Sequence, residues 1–497
     1  MQRPYICLCL TGKTLSEDLE ILNRYRNLID IAELRVDYLE KNEQLHIRRF
    51  PELAGIPCIL TIRRVIDGGK FIGGEASRTT LFARGLAFAD QDTRKNFAYV
   101  DFEEDYYVPS LQDAALAFGT RIIRSCHNME GPIYNIEAKL SKMRTTGFEI
   151  PKIACMPKTL SDVTRMFKEA ATLKDTEQIL CAMGPLGLPT RILASKMNSF
   201  LTFVSPVDSN IIKTVGHIDP VTMQQVYNFS AIDENTKIYG ITGYPLSATD
   251  SPVIHNNGYK AHGMNAVYIP VRAQNIEDAL DFANNIGMDG LSITIPHKES
   301  VIEHIADITP KVSDIGACNT IVRNNSTWTG YNTDADGLIE ALKEFLNTDT
   351  LARKKVSIIG AGGAARAAAY AVKQLKGKAC IFNRTATKAK YLAADFGFKY
   401  AHLSYESVSL IEKYSDLIIQ TTSKGMGSSL PPTEENDPLF FYDFKGYEAL
   451  YDIIYVPEIT PVMARASSVG CRVANGKTML EYQAYRQFKL FTGEEYK

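Results

Sequence analysis

Several charged and imidazole side chains in the first 200 residues stand where a strand would begin or end. Glu33 and Arg35 are two apart, and on a strand alternate side chains share a face, so both point the same way. Arg63 closes a later apolar run, Glu103 another, His127 lies just after a fifth, Lys152 opens a sixth, and Arg191 follows a seventh. Singly, each is more simply a solvated loop residue. As a set they converge at the strand ends where barrel enzymes carry their chemistry, and a lysine enclosed with arginines in an apolar barrel is activated as a nucleophile toward a ketone.

Two further sets follow. Lys298 and Asp334 have the types for a proton-transfer couple, with Asn319 as a hydrogen-bonding anchor. The loop Gly243-Tyr-Pro-Leu-Ser-Ala-Thr-Asp-Ser-Pro252 sets hydroxyls at Ser247, Thr249 and Ser251, neutral donors suited to a small carboxylate, although alone it reads as an ordinary turn. In the third set, Lys355-Val-Ser-Ile-Ile runs into Gly360-Ala-Gly-Gly-Ala-Ala365 and an alanine-rich helix. A strand, a glycine turn and a helix N-terminus together receive a pyrophosphate. The next strand ends in Asn383-Arg384-Thr385, where an acidic residue would favour NAD. Arg and a hydroxyl there suit the 2′-phosphate of NADP.

The elements that must position these groups are legible as well. Eight apolar runs, Tyr5–Leu10, Ile31–Val36, Cys58–Ile62, Ala98–Glu103, Arg121–Ser125, Lys152–Met156, Ile179–Met183 and Phe200–Val204, have continuous cores, as parallel strands covered on both faces do. Eight strands over about 200 residues fit a (β/α)8 barrel; a doubly wound open sheet is the alternative that periodicity leaves standing. A helical pattern over Asp219–Phe229 and the charged segment Asp233–Lys237 precede new strands at Lys237–Thr242, Ala266–Val271 and Gly290–Ile295. After the glycine turn come Lys378–Phe382, Asp416–Thr421, Leu450–Ile454 and a helix over Glu481–Phe488.

The expected fold class is α/β: an N-terminal (β/α)8 barrel (1–225), a linker (226–236), an α/β substrate domain (237–340, completed by 471–497) and a Rossmann-type NADP-binding domain (341–470). The 497 residues agree, at about 150 per domain. With 55 Lys+Arg against 57 Asp+Glu, the net charge of −2 offers nucleic acid or a membrane surface no bulk attraction, and no apolar run reaches the roughly 18–20 residues of a membrane span. Nine scattered cysteines without a CxxC pair suggest reduced thiols, a cytoplasmic location and no metal site. The N-terminus resembles neither a signal nor a transit peptide.

The second and third sets together resemble shikimate dehydrogenase. Thr249 and Ser251, the Thr294-x-Pro-x-Lys298 segment, Ala317-Cys-Asn-Thr320, Gly330-Tyr-Asn-Thr-Asp334, the glycine turn, Asn383-Arg384-Thr385, Thr421-Thr-Ser-Lys-Gly-Met426, Tyr455-Val-Pro457 and Gly476-Lys-Thr-Met-Leu-Glu-Tyr-Gln483 occur in that family's order. The resemblance implies NADP(H)-dependent reduction of 3-dehydroshikimate. Thr249 and Ser251 would hold the carboxylate; Thr294, Asn319 and Gln483 the hydroxyls; Lys298 and Asp334 the acid/base work. Gly360, Gly362, Gly363, Ala364, Asn383, Arg384, Thr385, Thr422 and Met426 would hold the cofactor. Thr249 replaces the family's usual Ser, and Ser292 an Asn found in many members.

The first set resembles type I 3-dehydroquinate dehydratase, through Glu33-Leu-Arg-Val-Asp37, Thr61-Ile-Arg63 leading to Asp67-Gly-Gly69, Val100-Asp-Phe-Glu103, Ser125-Cys-His127, Lys152-Ile-Ala-Cys-Met-Pro157 and Met183-Gly-Pro-Leu-Gly187 leading to Arg191. By that resemblance Lys152 forms a Schiff base, His127 moves protons, and Glu33, Arg35, Arg63 and Arg191 bind hydroxyls and carboxylate. Asp67 stands for the family's Glu, which supports the histidine. Lys213 stands for Ser, and His217 for Gln as a substrate contact. The joint expectation is a bifunctional enzyme acting on 3-dehydroquinate, 3-dehydroshikimate and shikimate, with no nucleic-acid or membrane partner and no motif for oligomerisation beyond a monomer. The alternatives are a metabolite-sensing homologue without turnover, a chain with only its dehydrogenase half active, and an NAD-linked quinate dehydrogenase, for which an acidic residue in place of Asn383-Arg384 would be expected.

Overall fold

The structure is a computed structural model that describes residues 3–86, 90–173, 177–246 and 249–497, without the side chains of Ile211, Lys213 and Thr214. Ser247 and the Lys213 side chain therefore lie outside the described residues. Two compact units are present, Met1–Ser247 with Gly263–Met288, and Ala248–His262 with Asp289–Lys497.

In the first unit the eight expected runs form eight parallel strands: β1 Tyr5–Leu10, β2 Ile31–Arg35, β3 Cys58–Thr61, β4 Tyr99–Glu103, β5 Arg121–Asn128, β6 Ile150–Cys155, β7 Ile179–Ala182 and β8 Leu201–Val204. Their order is β7-β6-β5-β4-β3-β2-β1-β8, and a parallel bridge between Gln178 and Ser199 brings the two ends together, so the sheet is a nearly closed barrel rather than an open one. Ile31, Ile59, Ile123, Ile150, Ile179, Leu201, Cys7 and Phe203 pack together within it. Further toward the strand C-termini the same alternation presents polar side chains, because Thr61 is in register with Asp101 and Ser125 with Lys152. The expected helix over Asp219–Phe229 is instead a π-helical turn, Thr222–Val226, followed by a 3-10 turn, Phe229–Ala231.

This unit also holds the parallel pair β9 Lys237–Gly243 and β10 Ala266–Arg272. Helix Ile276–Ile286 packs on the barrel helix Leu160–Ala170, with Phe167 and Phe282 edge to face at 5.7 Å and Ser161 Oγ donating to Asp278 Oδ1 at 2.7 Å. The segment 226–236 therefore lies inside the first unit.

In the second unit β11 Met288–Ile293, β13 Thr320–Asn324 and β14 Thr327–Tyr331 pair antiparallel, and β12 Asp307–Ile308 runs parallel to β14. Beyond them lies a six-stranded parallel sheet, β17 Lys399–His402, β16 Lys378–Asn383, β15 Lys355–Ile359, β18 Leu417–Gln420, β19 Ala449–Asp452 and β20 Arg472–Ala474, in that spatial order. One apolar cluster includes Val356, Ile358, Ile381 and Ile419, and another Ile359, Cys380, Phe382 and Ile418, which places alternate residues of each strand on opposite buried faces. Helices Asp334–Leu346 and Lys477–Thr492 approach closely at Gly337, where a Cβ would stand 2.7 Å from Met479 O.

Candidate active sites

At the C-terminal end of the barrel a cavity of about 100 Å³ is lined by Glu33, Arg35, Arg63, His127, Lys152, Arg191 and His217, so every residue expected there is present. Lys152 is the third residue of its strand rather than the first, because β6 begins at Ile150. Its stem runs up the barrel interior and its Nζ lies 4.4 Å from the centroid of Phe203.

The sequence reading missed what lies beneath. Asp101, fully buried, accepts from Lys152 Nζ at 2.9 Å and pairs with Arg63 Nη2 at 2.8 Å through the same oxygen, while Ser125 Oγ donates to its other oxygen at 2.5 Å. Burial works against its ionisation, but the cations of Arg63 and Lys152 win and hold the carboxyl well below the usual range. Arg63 continues to Glu103 Oε1 at 2.8 Å, and Glu103 Oε2 takes buried Arg78 at 2.5 Å, so Glu103 serves the arginines. Alternation on Tyr99-Val-Asp-Phe-Glu103 could have found Asp101, which shares Glu103's face.

His127 lies within β5, and its buried Nδ1 has no hydrogen-bond partner among the described residues. Burial, then Arg63 and Lys152, push its pKa well below 6.5, leaving a neutral base. The expected support from Asp67 is absent: Asp67 Oδ2 accepts from Arg64 Nε at 2.7 Å, and Arg64 also grips Asp105 at 2.8 Å. A carboxylate one methylene shorter than Glu is here satisfied by a neighbouring arginine instead.

Arg35 is locked bidentate on Asp37 at 2.9 and 2.8 Å, and Glu33 accepts from Thr61 at 2.8 Å. Arg191 spends only Nη2, on Val215 O at 2.7 Å. Its Nε and Nη1 are buried without a partner among the described residues, a ready site for an anion. His217 stacks on Phe203 at 6.2 Å with Nδ1 2.6 Å from Ser205 Oγ, and burial followed by the Arg191 charge pushes its pKa well below 6.5.

The second site is built where β11, β13 and two helices meet. Lys298 Nζ donates to Asp334 Oδ2 at 2.5 Å, and Asn319 Nδ2 donates to Asp334 Oδ1 at 2.9 Å. Asn319 Oδ1 accepts from the Thr333 N–H at 2.8 Å, an obligate donor that fixes which way the amide faces. Gln483 Oε1 lies 3.3 Å from Asn319 Nδ2. One turn on, Gln487, which the sequence reading passed over, donates to Thr320 Oγ1 at 2.8 Å and accepts from Ser292 Oγ at 3.0 Å. Thr249 Oγ1 donates to Ser251 Oγ at 3.1 Å, and the Tyr455 hydroxyl shares a hydrogen bond with Thr249. Thr294 sits on the loop between β11 and Lys298, partly exposed.

The glycine turn fits a dinucleotide phosphate. Gly360 has φ +117° and a Cβ there would meet Thr421 Oγ1 at 2.4 Å, whereas beside Gly362 nothing lies within 4 Å. Helix Gly363–Gln374 starts without a side-chain cap, and Ala364 is in its first turn, so its leading N–H groups remain available to an anion. Gly363 packs against the Lys298 stem, with a Cβ there 3.1 Å from Lys298 Cβ, which ties the Lys298–Asp334 pair to the glycine turn. Asn383 Nδ2 donates to Thr385 O at 3.0 Å, leaving Arg384 exposed at the strand end. Thr422 is held by its N–H on Gln420 Oε1 at 2.6 Å, and Met426 is half exposed on the same loop. No group of residues able to hold a metal ion occurs among the described residues, and none of the described helices is long and apolar enough to cross a membrane.

Comparison with known proteins matches three family models in order: type I 3-dehydroquinase over residues 6–234, the shikimate dehydrogenase substrate binding domain over 241–321, and shikimate/quinate 5-dehydrogenase over 341–426. A chloroplastic bifunctional 3-dehydroquinate dehydratase/shikimate dehydrogenase of Arabidopsis thaliana is 31% identical over 93% of this chain and 78% of its own. A shikimate dehydrogenase (NADP(+)) of Methanothermobacter thermautotrophicus is 36% identical over 53% of this chain and 94% of its own. Among solved structures, a shikimate dehydrogenase from Aquifex aeolicus aligns at 30% identity over 54% of this chain and 96% of that one, with a TM-score of 0.48. Both halves match one relative in one order along nearly the whole length, and the chain belongs to the bifunctional 3-dehydroquinate dehydratase/shikimate dehydrogenase family.

Proposed function

We propose that this chain catalyses two consecutive reactions, dehydration of 3-dehydroquinate to 3-dehydroshikimate at the barrel and NADPH-dependent reduction to shikimate at the second site. The observation that carries the reading is a lysine buried in a cavity with a neutral imidazole and an arginine with unspent donors, on the same chain as a Lys–Asp pair beside a dinucleotide turn.

In the barrel Arg191, with Arg63 and Arg35, takes the substrate carboxylate, and Glu33 and His217 face hydroxyls. Lys152 condenses with the ketone, a net exchange of ammonium and carbonyl for iminium and water, with His127 carrying the protons. The cation withdraws electrons from the adjacent carbon. His127 then removes a proton there and gives it to the neighbouring ring hydroxyl, which leaves as water as the carbon–carbon double bond forms. Water releases the enone and regenerates Lys152.

At the second site Thr249 and Ser251 hold the carboxylate, and Thr294, Asn319 and Gln483 hold ring hydroxyls. Lys298 gives the carbonyl oxygen its proton, and Asp334 orients Lys298. Gly360, Gly362, Gly363 and Ala364 receive the pyrophosphate, Asn383, Arg384 and Thr385 the 2′-phosphate, and Thr422 and Met426 the nicotinamide end. NADPH, when bound, supplies the hydride. The nine unpaired cysteines support a reducing compartment, here the cytoplasm, and a monomer serves both steps.

Incubation with 3-dehydroquinate alone should raise enone absorbance, and NADPH added afterwards should be oxidised. Enone without oxidation would sink the second assignment, and neither signal would favour a sensor without turnover.

A further inference from the structure

We propose that Asp101 is the permanent counter-ion of the reacting nitrogen in the barrel, pairing first with the Lys152 ammonium and then with the protonated iminium that replaces it. This deepens, and rests on, the imine chemistry proposed above. Asp101 lies outside the residues that line the cavity and cannot meet substrate; what it touches is Lys152 Nζ, at 2.9 Å.

Charge conservation makes the argument. When a ketone and an ammonium condense, the products are an iminium and water, so the nitrogen bears one positive charge before and after. A carboxylate fixed beside that nitrogen therefore needs no rearrangement as the bond forms, and preorganised charge of this kind stabilises without reorganisation cost. The surroundings hold Asp101 to the task. Oδ1 is taken by the Ser125 hydroxyl at 2.5 Å, and Oδ2 is shared between Lys152 and Arg63 Nη2 at 2.8 Å. Arg63's remaining charge is met by Glu103, so Asp101 is not neutralised by Arg63 alone. Asp101 also opposes the Arg63 and Lys152 charges acting on His127. While the carboxylate faces the nitrogen the iminium stays protonated, and a protonated iminium is the electron sink that both proton abstraction and departure of the hydroxyl require.

The test uses the full-length chain with 3-dehydroquinate and borohydride, whose hydride adds to the iminium carbon and leaves a stable secondary amine on Lys152. Asp101→Asn should lower both dehydratase turnover and the trapped fraction by roughly a hundredfold, the cost of removing one preorganised electrostatic group. Asp101→Glu should recover part of the loss, and reduction of 3-dehydroshikimate by both variants should be unchanged. Asp101→Asn turnover within about threefold of the native chain, with an equal trapped fraction, overturns the proposal. If Asp101→Asn does not fold, the native chain decides: with lysine labelled by ¹⁵N and 3-dehydroshikimate bound, the Lys152 nitrogen should resonate as a protonated iminium at neutral pH, and a neutral imine overturns the proposal. A native chain that gives no borohydride adduct fails the imine reading itself.

Discussion

Lys298 Nζ stands 2.5 Å from Asp334 Oδ2, and the other oxygen of that carboxylate is already taken by the Asn319 amide. Asp334 thus holds the Lys298 ammonium in place, and on the proposed mechanism the proton delivered to the carbonyl is that of Lys298. Lys298→Met should therefore cut turnover of 3-dehydroshikimate reduction by about 10²–10⁴-fold, the usual worth of a positioned general acid. Enone formation from 3-dehydroquinate on the same preparation should not change. Steady-state assays of both reactions check this, and a reduction rate within about tenfold of the native value would count against the role.

The barrel reaction should keep its rate well into the acid range. His127 is needed neutral, and burial with the Arg63 and Lys152 charges holds its pKa well below 6.5. It therefore protonates only as pH falls past that depressed value, and the acid limb of kcat/KM should lie below the ordinary imidazole range. The same shift makes the folded barrel lose stability as pH drops below 6.5: the unfolded histidine then binds a proton that the folded one refuses, at about 1.4 kcal/mol per pH unit until the folded pKa is reached. A pH–rate profile decides the kinetic half, and a limb centred at or above 6.5 would contradict it.

Arg384 is exposed at the end of β16 beside the phosphate turn. Arg384→Ala should raise KM for NADPH by roughly ten- to a hundredfold, the loss of one charge-assisted contact, and leave KM for NADH nearly unchanged. Equal effects on the two cofactors would remove the 2′-phosphate assignment.

Gln487 holds Ser292 and Thr320 from one amide, and Thr320 Oγ1 donates to Asn319 Oδ1 at 2.9 Å. Gln487→Leu should raise KM for 3-dehydroshikimate by about five- to tenfold, near the net value of one hydrogen bond, with KM for NADPH unaffected. Gln487→Glu should be worse than Leu, because a carboxylate turns an acceptor toward the Asn319 carbonyl, which Gln487 Nε2 now meets at 3.3 Å. Measured KM values for the two substrates separate this from general loosening of the helix.

The barrel was readable because its strands, buried on both faces, are continuous apolar runs; β1 matches its run residue for residue. Residues ending those runs, such as Arg63 and Glu103, were equally visible, since a charge next to an apolar run has few structural reasons to be there. Asp101 lies inside its run rather than at the end; alternation puts it on Glu103's face, and its purpose shows in the two cations, Arg63 and Lys152, that pair with it. Asp67 shows the opposite limit: its place before Gly-Gly suggested support for His127, but Arg64, three residues earlier on the same turn, claims it. Gln487 needed the helix docked at Gly337 before its amide had anything to meet.

Two independent sites on one chain are tested most directly by complementation. The native protein with 3-dehydroquinate and NADPH should form shikimate, oxidising one NADPH per molecule. Lys152→Ala should make no shikimate from 3-dehydroquinate yet still reduce 3-dehydroshikimate, and Asp334→Asn should stop at the enone. An equimolar mixture of the two variants should restore shikimate formation, because each supplies the site the other lacks. A Lys152→Ala chain that still converts 3-dehydroquinate to shikimate, or a mixture that makes none, would contradict the account.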